Sequence, residues 1–271
     1  YYTNSTVIQA TGRMLPWPSM KNRLLLCISW GLLTFTPLVG WAQTNSAVEF
    51  YNRGVDKLSS GDYRGATEDF TQSIALNPKD PDAYYNRAYA ALIMGNYQGA
   101  IQDYTQAITL NPKYVYAYGN RCFIYYLTQK YPEAIADCSQ AIQLKGEYAD
   151  FYIYRGNAYD DTGKHEAALE DFTQALKLDP KNAKAHYNRA LTYNRLGNHQ
   201  KALLDYTESI KLNPQLAEAF HNRGLTYYQL GQRSQAAKEL QQAAELFSSQ
   251  GKKDNAQKSI NALRILQENP D

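Results

Sequence analysis

From residue 47 onward, small and bulky apolar residues recur at steps of three and four, the spacing of one stripe along a helix. The stripe stops and restarts on a fixed 34-residue period, without insertion or deletion, over residues 47–80, 81–114, 115–148, 149–182, 183–216 and 217–250. Counting from the first residue of each copy, position 8 is Gly54, Ala88, Cys122, Gly156, Ala190 and Gly224, and position 20 is alanine every time. Bulky side chains stand between the small ones: position 4 is aromatic or His186, and position 24 runs Phe70, Tyr104, Cys138, Phe172, Tyr206, Leu240. Small residues let two backbones approach, and large rings fill the space beside them. Position 15 is glycine in all copies but the third, which has Gln129; glycine ends a helix cheaply in the left-handed region. Position 32 is proline in four copies and stops the second helix. The pattern therefore predicts an all-α chain of six helix-turn-helix units stacked as a solenoid, each unit contacting only its neighbours.

The combination of aromatic 4, small 8, Gly 15, aromatic 17, Ala 20, aromatic 24, Ala 27 and Pro 32 resembles the tetratricopeptide repeat over about three quarters of the chain. The resemblance implies a right-handed α-solenoid whose first helices line a concave groove. It also implies a binding role, for a protein or peptide, and no catalysis. The groove positions of that family are 2, 5, 6, 9, 12 and 13.

On those positions the chain offers two sets of candidate peptide-binding residues. Position 6 is Asn52, Asn86, Asn120, Asn188 and Asn222, interrupted by Tyr154 in the fourth copy. An Asn side chain carries an acceptor and two donors, which suits a peptide unit. Helices about 8–10 Å apart would let one rung meet an extended ligand, rising about 3.3 Å per residue, at roughly every third residue. The alternative is that these amides fill a polar slot inside the repeat. The second set is aromatic: Tyr51, Tyr85, Tyr89, Tyr116, Phe123 and Tyr126 in the first three copies. Exposed together they form an apolar surface with hydrogen-bonding tips; the alternative is sideways packing on neighbouring helices. The fourth copy turns acidic (Asp150, Asp160, Asp161) and the fifth basic (Lys184, Arg195), so a ligand with an apolar stretch followed by mixed charge is expected. The family's two-carboxylate clamp is not matched, since Tyr51 and Val55 stand where its first lysine and asparagine belong.

Position 7 is Arg53, Arg87, Arg121, Arg155, Arg189 and Arg223, and position 23 is Asp69, Asp103, Asp137, Asp171, Asp205 and Glu239. Matched charges at fixed spacing predict structural ion pairs that set register more than strength.

Outside the repeats, residues 1–19 show no periodicity and are expected to be a disordered or artefactual extension. Residues 20–42 carry Lys21 and Arg23, a mostly apolar stretch over 24–35, Pro37 and a small-bulky-small end, as a signal peptide cleaved after Ala42 does. That predicts an exported protein, periplasmic, lumenal or secreted. The alternative is an uncleaved anchor of about 18 residues, interrupted by proline, and only then is membrane contact expected. Residues 251–271 hold a further amphipathic helix over 252–267, with Ala256, Ile260, Leu263 and Leu266 set to cover the last repeat. Cys122 and Cys138 occupy core positions of the third copy; buried free thiols are expected, with a disulfide as the alternative in an oxidising compartment.

The net charge is +2, of which residues 1–42 supply +3, leaving the body at −1. A nucleic-acid partner, which needs a basic footprint, is not expected. Three of the four histidines stand at core positions and none has a second donor at metal-ligand spacing. No metal, cofactor or enzymatic activity is expected. The sequence reads as a scaffold that holds an extended segment of another protein in its groove and assists assembly of an envelope or membrane complex. The alternatives are an adaptor or oligomerisation module working through its convex face or ends, and a carbohydrate-binding module.

Overall fold

The computed structural model describes residues 38–268, with side chains from residue 46. The expected extension over 1–19 lies outside the described residues, as does most of the expected signal segment. Every described element is a helix. In chain order they are α1 (Leu38–Ser59), α2 (Tyr63–Leu76), α3 (Pro81–Ile93), α4 (Tyr97–Leu110), α5 (Val115–Leu127), α6 (Tyr131–Leu144) and α7 (Ala149–Asp161). They continue as α8 (His165–Leu178), α9 (Ala183–Arg195), α10 (His199–Leu212), α11 (Ala217–Gln229), α12 (Arg233–Ser249) and α13 (Lys253–Glu268). Among the described residues, no helix is long and apolar enough to cross a membrane.

The helix ends follow from turn chemistry. Gly61, Gly95, Gly163, Gly197 and Gly231 sit at φ between 74° and 84°, which glycine adopts without a Cβ penalty. Gln129 takes the same place at φ 59°, the one non-glycine there among the described residues. Asp62 and Asn96 cap the following helices by accepting from the backbone N–H of Gly65 and Gly99. Pro81 opens α3, where its missing N–H is harmless.

The chain divides into two compact units, at Thr128–Gln129, between the two helices of the third repeat. In the first unit α1 to α5 pack each on the next, and α1 also touches α3. In the second, α6 to α13 do the same, and α7, α9 and α11 touch in turn. The cores alternate small and large as the pattern required. Ala66, Ala100, Ala168, Ala202 and Ala236 are fully buried beside Phe70, Tyr104, Phe172, Tyr206 and Leu240. Each core is an all-α helical-repeat solenoid.

Two expectations are corrected. The sulfurs of Cys122 and Cys138 are buried, but each is disulfide-bonded and neither is a free thiol. In α13, Ala256 and Leu266 do cover the last repeat, whereas Ile260 is 45% exposed and Ser259 is buried in its place. The cause is length: α12 has 17 residues where α8 and α10 have 14, so α13 enters with its face rotated.

Candidate functional site

The asparagines of position 6 are not a row of open amides. Asn86 and Asn120 are each 3% exposed. Asn86 Nδ2 donates to Tyr51 Oη at 3.0 Å, and Asn120 Nδ2 donates to Tyr85 Oη at 3.1 Å and Tyr104 Oη at 3.2 Å. In the second unit Asn222 donates to Tyr187 Oη at 2.9 Å. The bonds to Tyr51, Tyr85 and Tyr187 join position 6 of one repeat to position 5 of the repeat before it, 35 residues back, and the bond to Tyr104 reaches position 24 of that same earlier repeat. The amides of Asn86 and Asn120 are buried on these bonds, so they staple repeats together. The expectation that Asn86 and Asn120 read a ligand backbone is corrected on this ground. Asn188 stands 35 residues after Ile153, which has no hydroxyl, and it donates to Asn157 Oδ1 at 2.7 Å. Asn52 belongs to the first helix and is exposed.

The aromatic set divides in the same way. Tyr51, Tyr85 and Phe123 are core residues. Tyr85 stacks on Tyr114 with centroids 4.9 Å apart and tilts against Tyr104 at 5.6 Å, while Tyr114 donates to Asp82 at 2.8 Å. Burial drives the phenols of Tyr85, Tyr104 and Tyr114 far above their ordinary range, so all three stay neutral. Tyr89, Tyr116 and Tyr126 are half-buried and keep part of each ring at the surface of α3 and α5.

The position 7 arginines form the second connection. Arg87 grips Asp103 at 2.7 Å through both Nε and Nη2, Arg155 grips Asp171 at 2.8 and 2.7 Å, and Arg189 grips Asp205 at 2.7 and 2.9 Å. Arg53 holds Asp69 and Arg223 holds Glu239 in the same fashion. Arg121 and Asp137 lie in different units. The spare Nη1 reaches the previous repeat: Arg87 to Thr71 at 3.1 Å, Arg121 to Thr105 at 2.8 Å, Arg155 to Ser139 at 3.0 Å, Arg189 to Thr173 at 3.2 Å and Arg223 to Thr207 at 3.1 Å. The guanidinium faces also rest on rings, as Arg121 does between Tyr118 and Tyr125.

The carboxylates differ by what else faces them. Arg53 and then Lys57 outweigh burial at Asp69 and bring it down to about 2. Burial pushes Asp205 up, but hydrogen bonds from Arg189 and His186 more than offset it, leaving it below its ordinary value. Asp171 has Arg155 alone and Glu170 nearby, so burial prevails and its value rises.

The charges foreseen as ligand contacts in the fourth and fifth copies are used between repeats. Asp160 is buried, with His165 Nδ1 at 2.7 Å on one oxygen and Arg195 on the other. Lys252 pairs with Glu218 at 2.8 Å. Lys184 lies near Asp150, whose charge supports its ammonium form, although burial lowers Lys184 overall. No described buried side-chain N or O lacks a partner, and no group of three metal-ligating side chains occurs among the described residues. Among the residues that first helices leave partly or fully at their surface are apolar ones, Tyr89, Tyr116 and Tyr126 in one unit and Leu191, Leu225 and Tyr228 in the other, beside polar ones such as Asn52 and Asp161.

Two features escaped the sequence reading, and both left a signal. Each stapling asparagine stands 35 residues after a hydroxyl-bearing ring, and each bracing arginine stands 16 residues after a Ser or Thr.

Comparison with known proteins agrees with this architecture. Residues 81–114, 183–216 and 217–250 match descriptions of the tetratricopeptide repeat, and residues 156–197 match a TPR repeat description. Comparison with curated protein sequences gives no match. Among solved structures, a crystal structure of MamA is similar at 25% identity and a TM-score of 0.57, covering 61% of this chain and 96% of that one. YrrB, described as a TPR protein with an unusual peptide-binding site, is similar at 24% identity and a TM-score of 0.57, covering 65% and 91%. MamA from Desulfovibrio magneticus RS-1 is similar at 22% identity and a TM-score of 0.60, covering 63% and 97%. With its 34-residue period, its paired helices and these matches, the chain is a tetratricopeptide-repeat protein, built as a scaffold for protein–protein interaction.

Proposed function

We propose that the first-helix face of the repeats holds an extended, apolar-rich segment of another protein. The observation that supports this is the division of labour on those helices. On α3 and α5 the position 6 asparagines Asn86 and Asn120 are closed off by staples, while Tyr89, Tyr116 and Tyr126 are half-buried. Rings with a polar tip give large contact area at low entropy cost, which is why they are enriched at interfaces. The solved peptide-binding relative makes the same mode reasonable here. Sequence selectivity then comes from ring contacts and not from an asparagine ladder.

The leader-like stretch over 20–42 and two disulfide-bonded cysteines support an exported setting, where assembly of an envelope or membrane complex is the natural use. The test is affinity capture from the exported fraction with the wild-type chain and with Tyr89→Ala/Tyr116→Ala. Loss of a partner that wild type retains supports the proposal; undiminished capture overturns it. A second reading, docking through the end of the array, is favoured by Ile260 and Ile265, which are 45% and 50% exposed on α13. Capture that survives the tyrosine changes but is lost in Ile260→Asp would select it.

A further inference from the structure

The last staple of the second unit is built from different chemistry. Position 5 of the sixth repeat is His221, where Tyr51, Tyr85 and Tyr187 stand in other repeats. Its Nδ1 lies 2.8 Å from Ser259 Oγ on α13; Ser259 is buried, and its single hydroxyl proton has Asn255 O at 3.3 Å as the longer, alternative acceptor. The two residues are 38 apart and not 35, the extra three matching the longer α12. α13 thus occupies the place of a seventh first helix, with Ser259 in the asparagine's role. The buried hydroxyl has no access to solvent, so the pair is no nucleophilic dyad. It is the one staple among the described residues that contains a group titrating near neutral pH.

The surroundings oppose a charge on that ring. From α12 the uncharged Phe247 meets it edge-on, with centroids 6.4 Å apart. From α13 the charge that acts on it is cationic, Lys258. On its own helix Glu218 favours the charged form, but Glu218 is already paired with Lys252. We propose that α13 is an acid-released cap: protonation of His221 loosens its hold on the last repeat and uncovers the apolar face made by Leu240 and Phe247. Burial first, and then Lys258, hold His221 below its ordinary 6.5. A base depressed in the docked form makes docking weaken as pH falls below 6.5, and the loss stops only once the docked value is passed. The buried Ala256 and Leu266, and the bond from Arg233 Nη2 to Leu266 O at 2.8 Å, also hold the cap and contain no group that titrates in this window.

The test is hydrogen exchange followed by mass spectrometry on the full chain at pH 7.5 and 5.0, corrected for the intrinsic pH dependence of exchange. Peptides covering residues 253–268 are expected to lose protection about tenfold for each unit by which the docked value is lowered, while peptides from α9 and α10 hold theirs. Dye binding to apolar surface should rise in step. His221→Gln, which cannot take a proton, should show the same cap protection at both pH values. No selective loss in wild type, or an equal loss in His221→Gln, overturns the proposal. If His221→Gln fails to fold, Lys258→Met serves: removing the exposed cation brings the docked value toward 6.5 and must shrink the loss, and an unchanged loss overturns the proposal.

Discussion

Asn120→Ala separates a stapling role from a reading role. Asn120 donates to two hydroxyls, those of Tyr85 and Tyr104, at 3.1 and 3.2 Å, and all three side chains are buried. A typical intramolecular hydrogen bond contributes about 1 kcal/mol, and a buried polar group left short of a partner costs about 1–3 kcal/mol. The expected loss is therefore about 2–4 kcal/mol. Asn52 supplies the internal control. It has the same side chain at the same repeat position but is exposed, so Asn52→Ala should stay within about 0.5 kcal/mol of wild type. Urea unfolding followed by circular dichroism measures both. A double-mutant cycle with Tyr85→Phe should give a coupling of about 1 kcal/mol, since the partners touch. If Asn120→Ala is no more destabilising than Asn52→Ala, or the coupling is absent, the staple has been misread.

Three further outcomes follow from positions already described. Gln129→Gly should raise stability by about 0.5–1 kcal/mol in thermal melts, because a side chain at φ 59° is strained where glycine is not. Gly54→Ala should destabilise by about 1–3 kcal/mol in the same melts, since an added Cβ would stand 2.8 Å from the Phe70 ring. Asp69 is held at about 2 by Arg53 and Lys57, so its contribution is present above its ordinary 3.8 and vanishes as pH falls toward 2. An acid titration of unfolding should show this slope in wild type and lose part of it in Asp69→Asn.

The repeat phase was legible because packing leaves no choice: the glycines facing Phe70 and Phe172, Gly54 and Gly156, admit nothing larger, since an added Cβ would stand 2.8 and 2.9 Å from those rings. The roles of the polar residues on first helices were not. Taken singly, a helix sets positions 5, 6 and 9 on one stripe, and a stripe facing water looks the same as one facing the next repeat. Only the pairing of Tyr51 with Asn86, or Tyr187 with Asn222, distinguishes them, and that information is spread across repeats. The acidic and basic turns of the fourth and fifth copies misled for the same reason, since Asp160 and Arg195 meet each other. Burial of Cys122 and Cys138 followed from their core positions, but the bonded state of the sulfurs has no signature in helical spacing. The misplaced Ile260 traces to three added residues in α12, which shift the phase of everything after them.

Every staple and every arginine brace in the second unit joins a repeat only to the one before it. A duplication of residues 183–216 would therefore be locally self-consistent. The copied Asn188 would meet the hydroxyl of the original Tyr187, and the copied Arg189 would find the original Thr207. Copy number in this array is thus open to change by unequal recombination, with the cost of each gain or loss confined to a single junction.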